Sequence, residues 1–302
     1  MMSKVNPKID LVFKKLFGSE ENKDILLSLI NAILPLSQQI AKITLKNPYN
    51  VSDYAEGKLS ILDIKAEGED GRLFDVEMQI RGSKFYGKRS LFYWAKIFGS
   101  QLDYVLEENQ NNDNTLDVGY SDLKKCIVIS LMDFNFFDDK EYQRFYTLKD
   151  GNTNEQHKDL DYLDLYFIEL KKYKGKLEQL KTTLERWITF LNSAHKYDNK
   201  TLPKELAEIK EIRKASQQLD VMYLDEQEKQ YYESQQKFWL DQNTFIKETV
   251  EKAVEKAVEQ AELNSKIEIA KNLFQTNLSN EEIAKHTGLT AQQIAQLRND
   301  TK

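Results

Sequence analysis

Asp63, Glu77 and Gln79 stand within one short stretch, LSILDIKAEGEDGRLFDVEMQI (residues 59–80), and are the residues of this chain best suited to chemistry. The stretch reads as a β-hairpin. In its second strand Leu73, Asp75, Glu77 and Gln79 alternate with Phe74, Val76, Met78 and Ile80. In its first, Ile61, Asp63, Lys65 and Glu67 alternate with Leu62, Ile64 and Ala66. Successive side chains of a strand point to opposite faces. Matching apolar face to apolar face requires Asp63 and Glu77 to share the polar face, because a one-residue slip turns every side chain over. The register that opposes Asp63 to Glu77 leaves Glu69-Asp70-Gly71 as the turn, with glycine where a three-residue loop takes a left-handed residue. Directly opposed Cβ atoms lie about 4.5–5.5 Å apart, and Gln79 stands about 7 Å further along the strand. Two carboxylates at that range repel and must be solvated or paired. A divalent cation removes the conflict, and a cation held by carboxylates is equipment for phosphodiester chemistry. The bland alternative is the wet face of an antiparallel hairpin.

The order Asp63…Glu77-Met78-Gln79 resembles the PD-(D/E)XK nuclease signature, an Asp followed about a hairpin later by Glu-x-Lys, with Gln in the place of Lys. Written as EMQ after an apolar strand, the variant is similar to the recombination-promoting nuclease (Rpn-type, transposase-like) family. The opening NPKIDLVFKKLFG (residues 6–18), with Asp10, Phe13, Lys14, Phe17 and Gly18, is similar to that family's N-terminal block. So are RSLFY (Arg89 to Tyr93), KKCIVISLMDF (124–134) and LDLYFIEL (163–170). The resemblance covers roughly the first 190 residues. It implies a restriction-endonuclease-like α/β core, a mixed central sheet flanked by helices, and metal-dependent cleavage of DNA. It also implies that Asp63 and Glu77 hold Mg²⁺ or Mn²⁺, with Gln79 in the lysine's role. Lys would bring positive charge to the attacked phosphate or the water, whereas Gln only orients and hydrogen-bonds. Lys65, beside Asp63 on the same face, is the expected substitute cation. Asp10 is a further candidate for the metal, its other reading being a helix-starting carboxylate. Arg89 and Tyr93, one helical turn apart, are further candidates for the cleft. Asp75 is expected to be solvated near the turn. A competing function is a catalytically weak or inactive nuclease fold serving in DNA binding or assembly, which Gln79 and the acidic net charge favour. A third is a partner-binding helical scaffold with an unrelated α/β head.

The elements that must position these residues follow from periodicity. Residues 8–33 read as a helix broken at Gly18-Ser19, with Ser19 capping the second piece and Pro35 ending it. A short strand at 41–46 precedes the hairpin, and a helix at 84–106 follows, with Phe85, Leu91, Phe92, Trp94 and Phe98 read as core. A polar loop (107–122) leads to strands at about 125–134, 143–149 and 163–170, the first two read as a hairpin, and to a helix at 176–194. Strands interleaved with helices place the chain in the α/β class. Beyond residue 200 the pattern is all helical, and residues 203–262 contain no glycine. In TVEKAVEKAVEQAE (249–262), Val250, Val254 and Val258 advance by four, a drift of about 40° per step. That spacing predicts a short helix contact, within the chain or with a second copy, and not a sustained heptad coiled coil. Residues 265–300 read as three short helices: Ser279 and Glu282 form a capping box, Gly288 ends the second helix and Thr290 caps the third. This tail is similar to a helix-turn-helix, but Gln292, Gln293, Gln296 and Arg298 offer little positive charge, so self-association or support of the core is the favoured role. The expected domains are a nuclease-like domain (1–200), a helical extension (201–263) and a small helix-turn-helix-like module (264–302).

Composition narrows the classes. The formal net charge is −6 and the pI about 5.4, which argues against avid DNA binding driven by overall charge. Lys84, Lys88, Arg89 and Lys96 form one local basic stripe, or else a solvated helix face. The single cysteine, Cys126, lies in an apolar run and reads as a small core residue that forms no intramolecular disulfide, so the chain reads as intracellular and cytoplasmic. Three widely spaced histidines and no CxxC argue against zinc. No glycine-rich nucleotide motif occurs, and no apolar run is long enough to cross a bilayer. The expected partners are double-stranded DNA and a second copy of the chain, met through the C-terminal helices; no membrane is expected.

Overall fold

A computed structural model describes residues 5–46, 63–111, 119–198 and 200–300. Among the described residues six strands form one mixed sheet: β1 (Ile43–Leu45), β2 (Asp63–Gly68), β3 (Leu73–Gln79), β4 (Cys126–Met132), β5 (Gln143–Thr147) and β6 (Leu163–Glu169), in the order β1-β2-β3-β4-β6-β5. The strands β1, β2 and β3 run antiparallel, β3, β4 and β6 are parallel, and β5 returns antiparallel at the edge. The helices are α1 (Asp10–Phe17), α2 (Lys23–Ile33), α3 (Tyr86–Asn111), α4 (Thr183–Ser193), α5 (Lys204–Ala207), α6 (Lys210–Val221), α7 (Glu226–Leu273), α8 (Asn280–Thr287) and α9 (Ala291–Asp300).

The strands β4 and β5 do not form the expected hairpin; β6 lies between them. The reason is visible in burial. The run CIVISLM of β4 is buried at every position, as a central strand covered on both faces must be. In β5, Phe145 and Tyr146 are exposed, which an edge strand tolerates. The β2–β3 turn is as expected: the amide of Gly68 donates to the carbonyl of Arg72 at 2.9 Å, and Gly71 adopts φ +81°.

One face of the sheet is apolar. Ile64, Ala66, Phe74, Val76, Met78, Ile127, Ile129 and Ile168 meet α1, α2, α4 and α6 in a core centred on the fully buried Trp187. The other face carries Val128, Met132, Leu163, Leu165 and Phe167, packed with Tyr86 and Trp94 of α3. Several boundaries differ from expectation. Ser19 makes no capping bond; a 3₁₀ turn (Glu20–Asn22) intervenes, and α2 starts without a side-chain cap. The helix α3 runs to Asn111, into the segment read as loop, and residues 112–118 lie outside the described residues. Helix α4 starts late because Thr182 caps it, with Glu185 closing a reciprocal capping box.

The chain divides into two compact units, one ending at Gln235 and one beginning at Gln236. The first extends past residue 200 because α5 and α6 bury Leu206, Ile212, Ala215 and Leu219 in the main core. The first turns of α7 belong to it as well: Glu228 pairs with Lys15 at 2.6 Å, and the Tyr232 hydroxyl accepts the Asn6 amide at 3.0 Å. In the second unit Ala270, Ile283, Leu289 and Ile294 form a small core. The first of the three expected short C-terminal helices is the end of α7, since nothing in the sequence interrupts it before Leu273. The capping box at Ser279, the left-handed Gly288 and the cap at Thr290 are as expected. Residues 241–266 of α7 have exposed side chains almost throughout, Val250, Val254 and Val258 included. No helix among the described residues is long and apolar enough to cross a membrane.

Candidate active site

In the β2–β3 register Asp63 faces Glu77, and Lys65 faces Asp75. Strand alternation therefore puts positions 63, 65, 75, 77 and 79 on one face. The side chain of Asp63 itself lies outside the described residues. The face is not wet. Glu77 is 2 % exposed, Gln79 6 % and Asp75 1 %, because β3 is an inner strand and α3 lies across this side of the sheet. Asp75, expected in solvent, is thus buried, and it follows the strand rather than the turn.

The carboxylate of Glu77 is held from two directions. The hydroxyl of Tyr86 donates to its Oε2 at 3.4 Å, and Nε2 of Gln79 donates to the same oxygen at 3.4 Å. Burial first, and the Glu77 charge second, push the Tyr86 hydroxyl well above the usual range for a phenol, so it keeps its proton and remains a donor. The ring of Tyr86 is fixed by edge-on contacts with Phe134 and Phe167, centroids 5.6 and 6.3 Å away. Oε1 of Gln79 accepts from Nη1 of Arg89 at 3.2 Å, and Nε of Arg89 donates to the Tyr93 hydroxyl at 3.0 Å. Residues 86, 89 and 93 share a helix face. A helix lying on a polar strand must present hydrogen-bonding tips to it, since buried polar groups need partners. This explains why Phe85, Leu91 and Phe92, expected in the core, are exposed instead. Tyr86 is the site residue that sequence reasoning missed, and the 86-89-93 spacing carried the signal.

Asp10 opens α1. Burial raises its carboxyl to about 6, against the lowering influence of the Arg81 and Arg89 charges. Asp10 therefore lies within electrostatic reach of the guanidinium that holds Gln79. Lys65 lies on the turn side of Glu77, where it lines a groove with Lys46 and Lys124. The basic stripe divides: Lys84 and Lys88 stay outside, their ammonium groups 5.1 and 5.7 Å from the Phe85 ring centroid, while Arg89 turns in. Cys126 is a buried core residue, its thiol pushed up to about 12 by burial and then by the charge of Asp75.

The donors here are all oxygen. A buried carboxylate oriented by two long hydrogen bonds of 3.4 Å, facing a second carboxylate position, has the chemistry of a ligand for a hard divalent cation, which binds through one or two carboxylates and keeps several waters. Among the described residues no three His, Cys, Asp or Glu side chains gather closely enough to form a metal cluster; the Asp63 side chain is outside that set.

The model of the PD-(D/E)XK nuclease family transposases matches residues 7–249, most of the chain, and the protein belongs to that family. The mixed sheet with helices on both faces is accordingly a restriction-endonuclease-like α/β fold. No curated protein and no solved structure matches significantly.

Proposed function

From this membership we propose that the protein is a metal-dependent DNA endonuclease that hydrolyses phosphodiester bonds in double-stranded DNA. The observation that carries the reading is the pairing of Asp63 with a buried Glu77 whose carboxylate is oriented by Tyr86 and Gln79. Asp63 and Glu77 hold Mg²⁺ or Mn²⁺, and Asp10, ionised above about pH 6, adds negative charge nearby. When bound, such a cation polarises a phosphoryl oxygen and lowers the pKa of a coordinated water. In the reaction a water oxygen bonds to phosphorus, one ester P–O bond breaks, the departing oxygen becomes a hydroxyl, and the surplus proton leaves to solvent. The chain's own contribution is positional: Tyr86 and Gln79 fix the Glu77 carboxylate, and Gln79 orients water or phosphate through its amide. Lys65 adds positive charge from the turn side. With a net charge of −6, contact with DNA relies on local cations such as Lys84 and Lys88, and the protein acts in the cytoplasm.

The test is nicking of a supercoiled plasmid in Mg²⁺ or Mn²⁺ by wild type, Asp63→Ala and Glu77→Ala. Cleavage by wild type and none by the variants is expected; cleavage that survives both substitutions refutes the assignment. One observation favours a second reading, a catalytically weak DNA-binding protein: residue 79 is neutral where the PD-(D/E)XK superfamily signature is basic. A gel shift at two salt concentrations, without cleavage, would support it. A second copy is the proposed partner of the C-terminal helices, because Val250, Val254 and Val258 are uncovered within their own unit.

A further inference from the structure

The motif's missing charge has a candidate replacement ten residues away in sequence. The amide of Gln79 is used at both ends: its Nε2 serves Glu77, and its Oε1 accepts from Arg89 at 3.2 Å. A lysine at 79 could not do this. It has no acceptor, and its ammonium would face the guanidinium directly. Gln79 and Arg89 are therefore complementary, and a neutral residue on β3 is what allows a cation to enter from α3. Arg89 is held on three sides. Its Nε bonds to Tyr93, its guanidinium carbon lies 5.1 Å from the Tyr93 ring centroid, and it lies 6.0 Å from that of Tyr86. Its Nη2 is buried and has no hydrogen-bond partner among the described residues. An arginine keeps its charge, and its planar fork matches phosphate oxygens.

The geometry points to Arg89 as the residue that delivers to the scissile phosphate the positive charge that lysine supplies elsewhere in the superfamily, with Gln79 as its positioning residue and Nη2 as the donor to a non-bridging phosphate oxygen. This rests on the nuclease reading. Negative charge builds on those oxygens as the water oxygen bonds to phosphorus, and a preorganised donor that meets it lowers the barrier. The bland reading is that Arg89 only ties α3 to β3, balancing Asp10 nearby.

Single-turnover cleavage of a short DNA duplex in Mn²⁺ separates the two, using wild type, Arg89→Gln, Arg89→Lys and the exchange Gln79→Lys/Arg89→Gln. Calorimetry with Mn²⁺ alone serves as the folding control. Arg89→Gln should bind Mn²⁺ as wild type does and lose about 10²–10³-fold in cleavage rate, the range for removing one charge-stabilising donor. The exchange variant should recover at least tenfold over Arg89→Gln, since it returns a cation to the position the superfamily signature gives it. Arg89→Lys should fall between. A structural tie predicts no such rescue. Arg89→Gln cutting within threefold of wild type overturns the inference and leaves the nuclease reading standing. So does an exchange variant that binds Mn²⁺ but recovers nothing. If wild type itself cuts nothing, both readings fall.

Discussion

Replacing Glu77 by Gln should make the metal-free protein more stable while removing its response to metal. The carboxylate is 2 % exposed and faces the Asp63 position across the hairpin. Its bonds from Tyr86 and Gln79, both 3.4 Å, are at the long limit of hydrogen bonding. Directly opposed strand positions have Cβ atoms about 4.5–5.5 Å apart, and two like charges at about 5 Å repel by about 3 kcal/mol at an effective dielectric constant near 20. Part of this is relieved by neighbouring positive charge, so we expect a net gain of about 1–2 kcal/mol in the variant. For a domain of this size that moves the melting midpoint up by about 2–4 °C per kcal/mol. The assay is thermal unfolding followed by circular dichroism, first in EDTA and then with Mn²⁺ in excess. Wild type should gain about 2.7 kcal/mol when Mn²⁺ stands at a hundred times its dissociation constant. The variant should gain little. A variant that melts below wild type in EDTA, or that keeps the full Mn²⁺ shift, refutes the idea that this pair is a charge conflict awaiting a cation.

Asp10 gives a pH prediction. Its folded-state pKa, about 6, lies above the ordinary 3.8, so the folded protein holds this proton more tightly. Stability from this group is present below about pH 4 and lost as pH rises towards 6. Asp10→Asn should remove that decline and exceed wild type by about 1–2 kcal/mol at pH 7.5, a figure discounted for partial solvent exposure; urea unfolding at pH 4, 6 and 7.5 checks it, and equal curves at 7.5 would defeat it. Tyr86 separates packing from hydrogen bonding: Tyr86→Phe should stay within about 1 kcal/mol of wild type, whereas Tyr86→Ala should lose about 3–5 kcal/mol, both read from urea midpoints. If the α7 stripe joins two copies, Val250→Asp with Val254→Asp should shift the mass measured by light scattering from dimer to monomer and leave the nuclease unit's cleavage unchanged; a monomeric wild type would end that reading.

The register of the hairpin was legible because period-two alternation on both strands and one glycine at the turn admit a single solution. Gly71 at φ +81° and Asp63 opposite Glu77 follow from local pattern alone. The order of the remaining strands was not legible. Whether β5 pairs with β4 or β6 depends on a parallel pairing between residues far apart in sequence, and only the unbroken apolar run of β4 hinted at a central position. The burial of the polar face of β3, which excludes the wet-face alternative, was not legible for the same reason. That burial is imposed by α3, whose aromatic content suggested a wholly greasy inner face; Tyr86 and Trp94 do pack inward, but Tyr86, Arg89 and Tyr93 bring polar tips to the β3 side.

That inversion makes the family's motif intelligible here. Read along the strand, Gln79 is a defect, a neutral group where a cation belongs. Read across to the helix, it is one half of a pair, since only a residue able to accept a hydrogen bond can hold a guanidinium at 3.2 Å. The charge is then no longer a property of position 79. It belongs to the contact between β3 and α3, and a one-dimensional signature written for a single strand has no means of recording it.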